Sequence, residues 1–277
     1  MTDNQYNITH GSLFSGIGGF DLAAEWAGFE NIFQVEKDKF CHRVLEKNFP
    51  HGQKYFDIYD FDATQYESTI DIISGGFPCQ PFSLAGKKRG ERDDRYLWDE
   101  MFRVITEAKP EWVVAENVYG LISNNKGMVL EKVLTDLESE GFETQTFVIP
   151  ACGKNAPHRR DRTWIVANSE SNGNRLQQKR HGLSGNERSS PRWAGMGDKP
   201  ENGPETLAER AWEKEWLDLA PELCRDDDGV SEKLDKNKAI KALGNAIVPQ
   251  IAYEIFTSIV DVYAKRELIM EENFAYS

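Results

Sequence analysis

The sequence predicts an α/β protein with an open, largely parallel sheet, one large domain and a smaller insertion. Three observations carry this. Apolar runs of strand length alternate with segments whose apolar residues recur at helical spacing. The first run opens straight into a glycine-rich turn and a helix, the start of a Rossmann-like nucleotide site. The chain has 277 residues, enough for one such domain with a sizeable core plus an insertion.

Ile8 to Phe14 reads as the first strand and runs into Phe14-Ser15-Gly16-Ile17-Gly18-Gly19-Phe20. Leu22, Ala23, Trp26 and Ala27 then mark a helix that stops at Gly28. The glycines let a ligand approach the backbone at the helix N-terminus. Their spacing is FxGxGG rather than GxGxxG, so the turn alone is weak evidence of a cofactor. Asn31 to Val35 gives a second strand with Glu36 at its end. An acid about 20 positions beyond the glycine turn is placed to accept both ribose hydroxyls. That role is favoured over a solvated glutamate. Phe40, Val44, Leu45 and Phe49 give the next helix, with Pro50 just beyond it. Tyr55-Phe56-Asp57-Ile58 is poorly patterned; Asp57 could accept from an adenine amino group or serve a turn.

Asp71-Ile72-Ile73 is a short buried strand leading into Ser74-Gly75-Gly76-Phe77-Pro78-Cys79-Gln80-Pro81-Phe82-Ser83. The glycines and prolines forbid both helix and continued strand. Cys79 therefore sits on a stiff loop at a strand's carboxyl end, where chemistry collects in parallel sheets. A lone cysteine is ordinarily a small buried hydrophobe. The flanking prolines instead fit a nucleophile held in one pose. Ala85 to Arg95 is dense in charge and lacks an apolar face. It is a solvated surface loop or, favoured by its place after the thiol, a lid whose Lys87, Lys88, Arg89 and Arg92 meet phosphates.

Tyr96 to Ala108 reads as an amphipathic helix, and Trp112 to Ala115 as a buried strand ending in Glu116-Asn117-Val118. A carboxylate at that end faces the same crevice as Cys79, and partial burial there favours a protonated acid. A helix is expected over Met128 to Gly141, and strands over Phe142 to Pro150 and Thr163 to Ala167. Arg159, Arg160 and Arg162 precede the last of these. They form a solvated basic turn, or Arg160 and Arg162, on one face of a strand, enter the crevice as guanidinium donors that hold a ligand oxygen or the catalytic carboxylate. Asn168 to about Pro204 is rich in Ser, Asn and Gly and locally basic, a linker or a nucleic-acid contact. Leu207 to Leu223 looks helical. A short helix over Ala239 to Leu243 breaks at Gly244-Asn245-Ala246-Ile247-Val248-Pro249, and Ile251 to Val260 begins a final amphipathic helix, with fraying expected from Glu271.

The composition, 39% hydrophobic and 29% charged, is that of a globular protein, with no apolar run of spanning length. The polar N-terminus lacks a signal-peptide core, so a cytoplasmic protein is expected. Cys41, Cys79, Cys152 and Cys224 are far apart, which disfavours disulfides and zinc. Asp226-Asp227-Asp228-Gly229 lacks EF-hand spacing, so no metal is expected. The net charge of −13 argues against a nucleic-acid partner unless basic residues are gathered in one cleft.

Together these motifs resemble the cytosine-C5 DNA methyltransferases from Ser12 to about Phe256, the Asn168–Asp235 stretch excepted. The resemblance implies a Rossmann-like S-adenosylmethionine-dependent methyltransferase fold with a small inserted target-recognition region. Its expected divisions are a catalytic domain over 1–167, a recognition region over 168–235 and C-terminal helices over 236–277. Phe14, Ser15, Gly16, Ile17, Gly18 and Gly19 match the cofactor glycine motif, Glu36 the ribose acid, and Asp57-Ile58 the adenine contact. Lys37, Pro78 and Leu97 are implied as further cofactor contacts, and Gly244-Asn245-Ala246 with Pro249 as the segment returning to the pocket. Gly76 to Gln80 resembles the nucleophile loop, Glu116-Asn117-Val118 the ENV motif, and Arg160 and Arg162 the arginines of QxRxR. His158 stands where the family usually has Gln.

The implied chemistry is attack of Cys79 on C6 of a flipped-out cytosine, with Glu116 as the proton-bearing group at N3. Arg162 is expected on the cytosine O2, and Arg160 on Glu116 or the loop. Duplex DNA is the expected partner, contacted through Ser83, Lys87, Lys88, Arg89, Arg92, Arg175, Lys179 and Arg180. The short recognition region resembles small phage or prophage members. That setting implies restriction-modification or phage self-protection, a monomer and a cognate restriction endonuclease. Three rivals stand beside this reading: the same chemistry on RNA, a non-catalytic module binding cofactor or DNA, and a nicotinamide enzyme. The RNA branch's Cys-Phe-Thr signature is absent, the catalytic residues are intact, and the glycine spacing is wrong for nicotinamide.

Overall fold

The computed structural model describes residues 7–78, 97–150, 161–169, 242 and 245–275. Outside the described residues lie Cys79, Ser83, Lys87, Lys88, Arg89, Arg92, His158, Arg160, Arg175, Lys179 and Arg180, with the expected lid, the recognition region and the 207–223 helix.

Seven strands are found among the described residues: β1 (Thr9–Leu13), β2 (Glu30–Val35), β3 (Gln53–Tyr55), β4 (Ile72–Gly75), β5 (Trp112–Val118), β6 (Glu143–Pro150) and β7 (Asp161–Asn168). They form one sheet in the order β3-β2-β1-β4-β5-β7-β6. The first five are mutually parallel. β7 is antiparallel to both β5 and β6. The order reverses between β1 and β4, which opens a crevice beyond their carboxyl ends. The expected α/β class and largely parallel sheet are present.

Among the described residues five helices flank the sheet: α1 (Gly19–Trp26), α2 (Lys39–Asn48), α3 (Trp98–Ala108), α4 (Met128–Ser139) and α5 (Pro249–Ala275). Each has a local cause. Asp38 caps α2 by accepting from the N–H groups of Phe40 and Cys41. In α3, Trp98, Met101, Val104, Ile105 and Ala108 recur at the spacing of one buried face. Pro249 sits at the first position of α5, where its missing N–H costs nothing. That helix continues to Ala275, past the fraying point expected at Glu271.

The helices divide between the two faces of the sheet. Phe20, Leu45, Phe49, Trp164, Ile247, Ile251 and Phe256 pack α1, α2 and α5 on one face. Phe33, Ile73, Phe77, Trp98, Met101, Val113, Val133 and Leu137 pack α3 and α4 on the other. β3 was not expected; with three residues and a half-exposed pattern it lacks a strand signature and is held by register with β2. β5 continues through Val118, and β7 begins at Asp161 rather than Thr163. The cause is shared: Val118 pairs directly with Arg162.

Candidate active site

The site lies along the carboxyl ends of β1, β2, β4 and β5. β1 releases the chain through Phe14, whose φ of 53° is rare for a side-chain-bearing residue. Gly16 and Gly18 follow with φ of 56° and 88°. The turn is fastened by Ser15 N–H donating to Val35 O at 3.2 Å and Gly18 N–H donating to Ser15 O at 2.9 Å. A side chain on Gly18 would also strike the Phe49 ring, at 2.2 Å. A Cβ on Gly19 would lie 2.7 Å from Ile247, so this glycine admits the returning C-terminal segment against α1. Ala246 and Ile247 are buried there, Ala246 N–H donates to Ala242 O, and Asn245 is exposed.

Glu36, at the end of β2, is turned onto the glycine loop. One carboxylate oxygen accepts from Gly16 N–H and the other from Asp38 N–H, both at 2.7 Å. Burial pushes this carboxyl up, and the two N–H donors partly offset the push. These backbone donors fix the orientation of the carboxylate beside the glycine loop. Asp57 accepts from Tyr59 N–H at 3.1 Å and lies 3.8 Å from the Lys37 ammonium. It therefore serves a turn, and the pair brings two expected cofactor residues together. Ile58 is buried beside them. Arg103 of α3 holds this turn, donating to Ile58 O at 2.6 Å and Phe61 O at 3.0 Å while paired with Glu107. Sequence reading missed Arg103, because a charge between apolar helix positions looks like a solvated face.

The second half of the site joins β4, β5 and β7. Antiparallel pairing sets Glu116 opposite Trp164 and Val118 opposite Arg162, so Glu116 and Arg162 are diagonal neighbours on one face. Arg162 Nε lies 2.8 Å from Glu116 Oε1, and both side chains are largely buried. Gly76 lies beneath: a Cβ there would be 3.4 Å from Glu116 Oε2. Asn117 points the other way and donates to Phe77 O at 2.8 Å, two residues before Cys79. Pro78 O accepts from Leu97 N–H at 3.4 Å, so the chain departs toward Cys79 and returns at one point. The Val118–Arg162 register delivers the Arg162 guanidinium to Glu116, one of the contacts expected for the Arg160 and Arg162 pair, while Arg160 lies outside the described residues.

Phe14 to Gly19, Glu36, Lys37, Asp57 and Ile58 gather at the β1–β2–β3 end, with Ala246 returning beside α1. Glu116, Arg162, Pro78 and Leu97 gather at the other end. Among the described residues no His, Cys, Asp or Glu group is arranged to hold a metal ion. Among the same residues no helix is long and apolar enough to cross a membrane.

This strand order, with an antiparallel strand next to β5 and a glycine loop bonded to the acid at the end of β2, defines the S-adenosylmethionine-dependent methyltransferase fold. The solved structure of S. pombe Dnmt2 methyltransferase shares it, with a TM-score of 0.59 at 16% identity over 91% of this chain and 98% of that one. The family model for C-5 cytosine-specific DNA methylase matches residues 8–215, and the chain belongs to that family. Type II methyltransferase M.Eco47II of Escherichia coli is 38% identical over 172 residues, 60% of this chain and 40% of the relative. Type II methyltransferase M.PspPI of a Psychrobacter strain is 40% identical over 157 residues, 56% of this chain and 38% of the relative. The chain thus spans less than half the length of these two relatives in the matched region.

Proposed function

We propose that the chain transfers a methyl group to C5 of cytosine in duplex DNA, with S-adenosylmethionine as donor. The observation that carries this is the Glu116–Arg162 pair, set over Gly76 on the strand end that leads to Cys79. A carboxyl group held by a guanidinium at that place can share its proton with N3 of a cytosine whose C6 lies toward the thiol. The residues at the other end fit the donor: a left-handed glycine turn, a carboxylate oriented by Gly16 and Asp38, and the Lys37–Asp57 pair. When bound, S-adenosylmethionine supplies an electrophilic methyl group.

The residues supply the rest. The Cys79 thiolate gives its electron pair to C6, and the ring electrons move to C5. Charge develops on the ring edge, where Glu116, sharing a proton with N3, and Arg162 lower its cost. After C5 is methylated, its proton leaves to a base, the C5–C6 double bond re-forms, the C6–S bond breaks and the thiolate is released. The N3 proton returns to Glu116. The chemistry needs the base out of the stack, and in this reading the 85–95 loop closes behind it while 168–235 reads the DNA sequence. The relatives' printed names support a Type II setting, in which a cytoplasmic monomer protects sites against a matching endonuclease.

The test is transfer of labelled methyl groups to unmethylated duplex DNA, wild type beside Cys79→Ala, with bisulfite sequencing of the product. Label at cytosine C5 that vanishes in the variant is expected. Label on RNA alone, or cofactor binding with no transfer to either, overturns the reading.

A further inference from the structure

Beneath the glycine loop lies a buried polar layer that the mechanism above does not use. His10 and Ser12 point from β1, Asn31 and Gln34 from β2, Ser74 from β4 and Asp21 from the first turn of α1. His10, Ser12, Asp21, Gln34 and Ser74 are fully buried. Asp21 accepts from Ser12 Oγ, at 2.9 and 3.0 Å from its two oxygens, and from Gln34 Nε2 at 2.9 Å. Ser12 Oγ is 2.6 Å from Ser15 Oγ. Ser15 is the loop residue whose N–H binds Val35 O and whose neighbour, Gly16, donates to Glu36. His10 bridges Asn31 Oδ1 and Ser74 Oγ, each at 2.7 Å, and Asn31 Nδ2 donates to Asp21 O at 3.0 Å.

A central strand packed on both faces has no need of such residues, and a buried carboxylate is costly unless its bonds are complete. Those bonds lead in one direction. Ser15 can donate to Ser12, Ser12 donates to Asp21, and the acceptor at the end is a carboxylate. We propose that Asp21 is a positioning residue for the cofactor: through Ser12 and Ser15 its carboxylate holds the Ser15–Gly18 backbone in the shape that receives S-adenosylmethionine. The inference rests on the methyltransferase reading.

The chain of hydroxyls has a second state. When Asp21 carries a proton on Oδ2, it donates to Ser12, Ser12 donates to Ser15, and Ser15 turns its proton to Ser12 O at 3.2 Å or Val35 O at 3.4 Å. The loop's side-chain bonds then reverse, and Ser15 is no longer drawn through Ser12 toward a carboxylate. Burial, first among the causes, raises Asp21 to about 6, with the Gln34 and Ser12 bonds opposing, so both states lie within reach of an assay. The charged and titratable groups facing it are Lys54 from β3, Glu25 one turn along α1, and neutral His10 from β1. The Lys54 ammonium is fixed by Phe49 O and by Gly52 O at 2.6 Å.

The experiment is calorimetric binding of S-adenosylhomocysteine to the full chain from pH 5 to 8, beside unfolding of each variant without ligand. Wild type, Asp21→Asn, Ser15→Ala and the double variant are compared. Asp21→Asn is expected to bind about tenfold more weakly at pH 8, the loss for one charged hydrogen bond. The double variant is expected to be no weaker than the weaker single one, because both break the same chain. Wild-type affinity falls below pH 6 more than that of Asp21→Asn; the slope left in the variant belongs to Glu36. Full additivity, or unchanged affinity in a folded Asp21→Asn, overturns the inference. Absence of binding by the wild type would instead overturn the methyltransferase reading on which it rests.

Discussion

At the β1–β2 end of the crevice the ligand-facing groups are largely backbone, whereas at the β4–β5–β7 end they are side chains. The first end is shaped by left-handed residues at Phe14, Gly16 and Gly18 and is underpinned by hydrogen bonds buried in the core. The second depends on one ion pair, one asparagine bond and the register between strands far apart in sequence. A turn whose backbone N–H groups are bonded internally is altered mainly through what supports it. A site made of strand-end side chains is sensitive at each one. Variants should therefore separate binding from turnover.

The largest separation is expected from Glu116→Gln. Turnover should fall about 10²–10⁴-fold, the range for a lost acid–base group. Calorimetric cofactor affinity should stay at the wild-type value; an equal loss of both would erase the distinction between the two ends. Gly18→Ala acts from the opposite side. The added Cβ meets Phe49 and the backbone must hold φ at 88°, so a loss of about 2–4 kcal/mol is expected in urea unfolding. Cofactor affinity should fall with it.

Asn117→Ala sharpens the contrast at smaller scale. Freeing Phe77 O should lower turnover roughly tenfold, as for one buried hydrogen bond, with cofactor affinity unchanged. The smallest effect is a pH dependence in the cofactor half. Asp21 sits at about 6 in the fold against an ordinary 3.8, so its contribution is full below 3.8 and is lost as pH rises through 6. His10, desolvated, sits at about 4 against 6.5, so its contribution is present above 6.5 and is lost as pH falls through 4. The two oppose each other over the shared window. Asp21→Asn removes the first, and its stability in urea should climb with pH more steeply than that of the wild type across the acid range.

The same contrast governs what could be read from the sequence. The glycine loop and Glu36 were legible because strand, turn, helix and acid follow within one local unit. The Glu116–Arg162 contact stood only as one of several roles for the arginine pair, because the antiparallel register of β5 with β7 that selects it joins strands far apart in sequence. β3 was missed because three residues give no periodicity. The polar layer under the loop was missed because attention to Leu22, Ala23, Trp26 and Ala27 passed over Asp21. A signal was present: His10 and Ser12 alternate in a strand that the fold class places at the centre of the sheet, where polar side chains need partners.

The position of β7 has a consequence for how such a protein changes over time. Running against β5, it delivers Asn168 and Ser169 to the edge opposite the crevice, where Ser169 N–H donates to Glu111 O and Arg266 of α5 grips both Glu111 and Asn168. The chain re-enters at the crevice edge, where Ala246 N–H closes on Ala242 O and Ile247 seats on Gly19. Departure and arrival are thus fastened independently, each to the sheet and its helices. What joins them can be replaced or lengthened at the cost of loop closure, about 0.6 kcal/mol per doubling. Under the proposed function, the frame acts as a socket, and new addresses on a genome can be acquired by exchanging the plug.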